Sequence, residues 1–338
     1  MPTFRRGTVT ALLAERRGLQ RVTVDLGGEA EQAYVLTALT GPVAPGDAVV
    51  VNTTAVELGL GTGGWHVVHW NLARDSWVEP GPGHIMKLRY TSLQADTGAG
   101  EEQHPELPDH LGGAPVVVCG LHSQMACVTV ACTAVRPGTR VAYVMTDGAA
   151  LPLALSDLVA GLTNRGLLVG TVTAGHAFGG DLEAVGVPSA LVLARHVLTA
   201  DVVVVAMGPG VVGTGTRLGT TGLEVASILD TVAALGGDPI ACLRMSSGER
   251  RDRHAGVSHH SRTNLELVRS RVTIAVPDAA VLAGEARHDV AVLDPPDLAP
   301  LLDELGLAVT TMGRGPAEDP AFFAAAGAAG ALAAHRLG

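Results

Sequence analysis

Residues 202–216 read VVVVAMGPGVVGTGT, Val202 to Thr216, six apolar residues in unbroken succession running into a loop of glycine and threonine. A strand without alternation is buried on both faces, a condition met inside a parallel sheet covered by helices on either side. The same signature recurs on both sides of it, at Val116–Cys119, Val141–Met145, Leu167–Val172, Ile240–Leu243, Val272–Val276, Val290–Leu293 and Ala308–Thr311, with helix-length segments between. Alternating strands and helices predict an α/β domain over residues 115–338, a layered, mostly parallel, Rossmann-like sheet. Helix punctuation agrees: Pro152 and Pro188 stand near helix starts and Gly166 follows a last turn. Thr221-Gly222-Leu223-Glu224 has capping-box spacing, and Ala-rich Phe322–Leu337 reads as a closing helix.

Upstream the rhythm differs. Residues 1–73 break into short strands, Gly7–Leu13, Arg21–Leu26, Tyr34–Ala38, Ala48–Asn52 and Trp65–Trp70, punctuated by Gly27-Gly28, Gly41-Pro42 and Gly46-Asp47. Turns at this spacing predict a small antiparallel β-barrel or sandwich domain. Residues 74–114 are rich in breakers and form a crossover or linker, with Ile85–Leu93 alternating enough for one strand.

Composition narrows the class. The 338 residues are 47% hydrophobic and 17% charged, too apolar for a disordered chain. A net charge of −10 argues against a phosphate-tracking surface, and four Phe, three Trp and three Tyr leave few rings for stacking bases, so neither nucleic acid nor a membrane is expected as partner. The N-terminus lacks the apolar core of a signal peptide, and no apolar run reaches membrane-spanning length, which predicts a cytoplasmic protein. Cys119, Cys127, Cys132 and Cys242 lie in apolar stretches without a CxxC pair, the pattern of buried thiols. Lys87 is the single lysine, which either reflects an arginine bias or marks a chemical role. The Ala-rich terminal helix would serve a homo-oligomer as well as its own domain.

In open parallel sheets ligands bind beyond the carboxyl ends of the strands. There the chain carries Gly120-Leu121-His122-Ser123-Gln124, Thr146-Asp147-Gly148, the loop from Thr173 to Asp181 with His176, the loop from Gly208 to Thr216, and Ser258-His259-His260. In the glycine loop, Gly208, Gly210, Gly213 and Gly215 would let amides approach an anion while Thr214 and Thr216 add hydroxyl donors. The spacing is formally GxGxxG, yet Pro209 removes a donor and no ribose-reading acid follows, so a dinucleotide is disfavoured. His122, His176 and Asp181 have the side chains of a divalent transition-metal site, although their spacing matches no metal motif. His259 and His260, being adjacent, would not easily share an ion. Ser123 reads as a nucleophile, a helix N-cap or a ligand contact, and Asp147 as a general base, a metal ligand, an orienter of histidine or a turn former.

HIMKLRYT (His84–Thr91), GLHSQ (Gly120–Gln124), GHAFGGDLEAV (Gly175–Val185), MGPGVVGTGT (Met207–Thr216) and GVSHHS (Gly256–Ser261) together resemble the bacterial domain-of-unknown-function family 3866 over nearly the whole chain. Ser261 stands where the family is associated with threonine, a change that keeps the hydroxyl. The resemblance carries no reaction with it. It implies that these segments are the signature, and that Lys87 and Arg89 come to an anionic ligand. The expected function is an enzyme acting on a small polar, anionic metabolite, the glycine loop and Lys87 or Arg89 holding the anion while His122 and His176 with Asp147 or Asp181 perform acid–base or metal-assisted hydrolysis or group transfer. The alternative is a non-catalytic metabolite sensor or scaffold.

Overall fold

The computed structural model describes residues 2–282 and 285–338, and the chain divides into two compact units, Met1–Gly98 and Ala99–Gly338. In the first, β1 (Phe4–Arg16), β2 (Leu19–Asp25), β3 (Ala30–Val35), β4 (Ala48–Asn52) and β5 (His66–Asn71) close into a barrel in the order β1-β2-β3-β5-β4. Short helical turns, α1 (Thr37–Thr40) and α2 (Thr54–Glu57), fall between strands. Alternate residues fill the interior, among them Val22 and Val24, Ala33 and Val35, and Val49 and Val51. The unit is thus a barrel and not a sandwich. One ladder departs from the antiparallel expectation, because β3 and β5 pair in parallel. Residues 36–65 supply the long crossover that a parallel pair requires, and β4 turns back against β1 on the other side of β5. Five strands in this order with a helical turn after β3 make an OB-type barrel.

The strand expected over Ile85–Leu93 shrinks to β6 (Met86–Lys87), paired with β7 (Ala95–Asp96). Leu88 and Tyr90 take φ of 52° and 60°, values that no extended strand accommodates. Lys87 is 1% exposed. Arg89 is exposed, its Nη1 donating to the Met86 carbonyl at 3.3 Å.

The second unit contains β8 (Pro115–Cys119), β9 (Val141–Thr146), β10 (Gly170–Thr173), β11 (Leu182–Glu183), β12 (Val202–Met207), β13 (Asp238–Cys242), β16 (Thr273–Val276) and β17 (Asp289–Val292). They form one eight-stranded sheet in the order β11-β10-β9-β12-β8-β13-β16-β17, parallel throughout. A small antiparallel pair, β14 (Met245–Ser246) with β15 (Gly256–Val257), stands outside it. The helices are α3 (Gly100–Gln103), α4 (His122–Val135), α5 (Asp157–Asn164), α6 (Val187–His196), α7 (Glu224–Ala234), α8 (His259–Leu267), α9 (Leu298–Glu304) and α10 (Pro320–His335).

The unbroken apolar runs behave as their sequence requires. In β8, β9 and β12, Val117, Tyr143 and Val204 enter a core with α4, α5, α9 and α10. Their neighbours Val116, Val118, Ala142, Val144, Val203 and Val205 enter a second core with α6, α7 and α8. Leu307, Val309 and Thr311 are buried, but the expected strand at 308–311 is reduced to a single bridge between Thr311 and Arg314. The sheet gains β11, beside β10, instead. All four cysteines are buried and free. Among the described residues, no helix is long and apolar enough to cross a membrane.

α10 is buried along almost its whole length, and it meets α4 at Gly330. A Cβ there would collide with the Val128 carbonyl oxygen, and would lie 2.8 Å from Ala131 Cβ and 3.0 Å from Cys132 N. Backbone cannot step aside as a flexible side chain does. Gly330→Ala is therefore expected to lower stability by about 1–3 kcal/mol despite the better helix propensity of alanine, a sign that urea denaturation checks directly.

Candidate functional site at the carboxyl edge of the sheet

β12 lies between β8 and β9, so the chain leaves β8 toward one side of the sheet and leaves β12 toward the other. Loops after adjacent strands diverge at such a switch point and open a crevice above the sheet. His122 begins α4 at the end of β8. Its Nδ1 lies 3.0 Å from the Met207 carbonyl and its Nε2 2.7 Å from Ser156 Oγ. A carbonyl only accepts, so Nδ1 carries the proton and the Ser156 hydroxyl donates to Nε2. Ser156 Oγ in turn accepts from the Val159 amide as N-cap of α5. Burial drives the His122 pKa down to about 4. His122 is thus a neutral strut joining the ends of β8 and β12 to α5, with both nitrogens engaged.

Ser123 falls inside the first turn of α4, whose N-cap is Leu121, so it does not cap the helix. Gln124 does the local work: its Oε1 accepts from the Leu121 amide at 3.0 Å and its Nε2 donates to the Leu243 carbonyl at 2.8 Å, tying the helix start to the end of β13.

Two carboxylates meet beyond β9. Glu224 opens α7, and its Oε1 accepts a 2.6 Å hydrogen bond from Thr146 Oγ1. Its carboxyl rests over Gly148, where a Cβ would come within 2.9 Å of Oε2. Burial raises its pKa to about 7; the Thr146 bond pulls the other way, and the negative charge of Asp147 pushes further up. The positive end of α7 favours ionisation, but a helix dipole is worth only about 0.3–1 kcal/mol, too little to reverse the shift. The capping-box reading of Glu224 is therefore corrected: the N-cap of the preceding turn is Thr220, and Glu224 serves the strand end.

Asp147 Oδ2 accepts from the His176 amide at 2.9 Å. Its carboxylate fills the space a side chain at Gly175 would need, and Gly175 also has φ of 66°, so only glycine fits there. Asp181 is used elsewhere, its Oδ2 accepting from both the amide and the hydroxyl of Thr171 at 2.9 Å.

The glycine loop projects into solvent from Gly210 to Gly219 and closes on itself by a bridge between Gly213 and Thr220. Thr214 N donates to the Gly219 carbonyl, Thr216 N to Thr214 Oγ1, and Gly219 N to Thr216 Oγ1. The two threonine oxygens lie 2.8 Å apart. Amides and hydroxyls expected to cradle an anion thus hold the loop's own shape. Gly208 is buried against the Ala150 carbonyl, Gly210 turns with φ of 95°, and Gly215 is exposed.

After β13 the chain builds a second polar centre. Ser258 caps α8, and His259 and His260 begin it. His254, from a single 3-10 turn over Asp252–His254, joins them, and ligand atoms of the three imidazoles lie within 4.8 Å of one another. The adjacent histidines therefore do face a common point, and the histidines that converge are not His122 and His176. Glu249, its pKa lowered to about 2 chiefly by its hydrogen bonds with Arg251, also lies 3.6 Å from Arg244 and from Arg314. Neither Glu224 nor His254 was singled out from sequence as chemistry. The only signal was position, an acid and a histidine each following a strand end.

A cleft of about 500 Å³ lies at the opposite edge, where Pro137–Arg140 and Gly166–Val169 enter β9 and β10, away from these groups. No curated protein and no solved structure matches the chain. A family model described as "Protein of unknown function (DUF3866)" matches residues 32–330, spanning four of the five signature segments placed on the carboxyl edge as well as the His84–Thr91 segment of the first unit, and the chain belongs to that family.

Proposed function

We propose that the protein is an enzyme that performs hydrolysis or group transfer on a small anionic metabolite, with Glu224 as general base at the carboxyl edge of the parallel sheet. The observation that carries this reading is a carboxyl group whose pKa is raised to about 7 by burial and by Asp147, at a topological switch point. A base half-ionised near neutrality combines proton affinity with availability. Thr146 orients Oε1, leaving Oε2 beside Gly148, where a missing side chain leaves room for water or a substrate hydroxyl. Asp147 sets both the charge on this carboxyl and, through the His176 amide, the position of the neighbouring loop.

The test is a screen of chromogenic phosphate and carboxylate esters, followed by pH profiles. Turnover should rise with pH through about 7 and should fall on the order of 10²–10⁴-fold in Glu224→Gln, with substrate binding retained. Loss of binding in Glu224→Gln, with no turnover by the native protein on any ester, would favour the sensor reading.

A further inference from the structure

We propose that His254, His259 and His260 form a divalent transition-metal site, with zinc the best-fitting ion. Three imidazoles converge with donor atoms within 4.8 Å, and their ring centroids are 4.0 to 5.0 Å apart. Zinc bonds to imidazole at about 2.0–2.1 Å, so binding asks for donor separations of about 3.4 Å, a small closing rotation of side chains. Stacked rings alone would not explain where their nitrogens point. The Nε2 atoms of His259 and His260 are buried, and neither has a hydrogen-bond partner among the described residues. Buried polar atoms without partners are rare, and each calls for a ligand or a water.

His254 supplies the other mark of a built site. Its Nδ1 lies 2.8 Å from Ser258 Oγ, itself fully buried as the N-cap of α8. A ligating histidine characteristically donates its second nitrogen to such a partner, which fixes its tautomer and orientation.

The charge around the rings selects what completes the coordination. Arg244, Arg251 and Arg253 all act on these histidines, and Glu249 is the acid that pairs with Arg251 and lies near Arg244. This cationic surround opposes a bare dication and favours one carrying an anion in its open position. Three neutral nitrogens with one open position are the arrangement of a catalytic zinc. The ligand class is therefore an oxyanion.

Metal binding is measured without turnover, so the outcome is independent of the role of Glu224. Chelator-treated protein is titrated with zinc by calorimetry and with cobalt by visible absorption. One equivalent should bind, cobalt should give ligand-field bands of a four- or five-coordinate site, and zinc should raise the melting temperature. His259→Gln and His260→Gln should each weaken binding on the order of 100-fold or more, with metal-free melting unchanged. Failure of the native protein to bind zinc at micromolar concentration, or undiminished binding by both variants, would overturn the site. Should the variants not fold, diethyl pyrocarbonate labelling of native protein decides: zinc must protect His259 and His260, and equal labelling with and without zinc refutes the assignment.

Discussion

Replacing Asp319 with alanine is expected to cost about 3–5 kcal/mol, the penalty of stranding a buried charge partner. Asp319 is fully buried at the start of α10. Its Oδ2 accepts from Ser246 Oγ at 2.6 Å and from Arg314 Nε at 3.1 Å, and its Oδ1 from the Ser247 amide at 2.8 Å. Burial opposes its ionisation, but these donors outweigh it and hold its pKa below the ordinary value. A depressed carboxyl stabilises the fold above its unfolded pKa of 3.8, and that stabilisation is lost as pH falls through the folded value. Urea denaturation should therefore find the native protein and Asp319→Ala far apart at pH 7 and drawing together in acid. A gap that stays constant with pH would mean that packing, not charge, holds this corner.

Glu224→Gln should do the opposite and stabilise the protein at alkaline pH. With a folded pKa of about 7 against 4.5 unfolded, both states are neutral in acid, and no penalty exists there. As pH rises past 4.5 the unfolded chain ionises first, and native stability falls until the folded carboxyl has ionised above 7. At about 1.4 kcal/mol per unit the full loss is up to about 3 kcal/mol. Glutamine cannot ionise, so the variant should match the native protein near pH 4 and exceed it by up to this amount at pH 8. A variant less stable at pH 8, or a difference that ignores pH, would remove the case for a strained carboxyl. Paired with loss of turnover, the gain would mark a group retained against stability.

Continuous apolar runs made the parallel sheet legible. Val116–Cys119, Val141–Met145 and Val202–Met207 lie on both cores at once, and few other environments accept such segments. Short or mixed segments were harder to read. β11 is two residues with no apolar run, and Leu307–Thr311 alternates between buried and exposed without finding a ladder. Leu88 and Tyr90 interrupt a strand through backbone angles that their side chains do not announce. At the site, the sequence placed the loops but not their partners. Nothing local shows that Glu224 turns to Thr146, 78 positions away, or that a 3-10 turn carries His254 to His259 and His260.

The position of β12 has a consequence for how this unit is made. β8 pairs only with β12 and β13, both of which follow it by more than 80 residues, while β9 and β10 already pair with each other. During synthesis β8 emerges with neither edge satisfied, and β9 offers a bare edge on the side where β12 belongs. A chain released near residue 200 would present unpaired apolar strands, the surface on which chains associate. The slot between β8 and β9 is filled only when β12 is made, so His122 meets its Met207 partner late, and β13, β16 and β17 then complete the sheet.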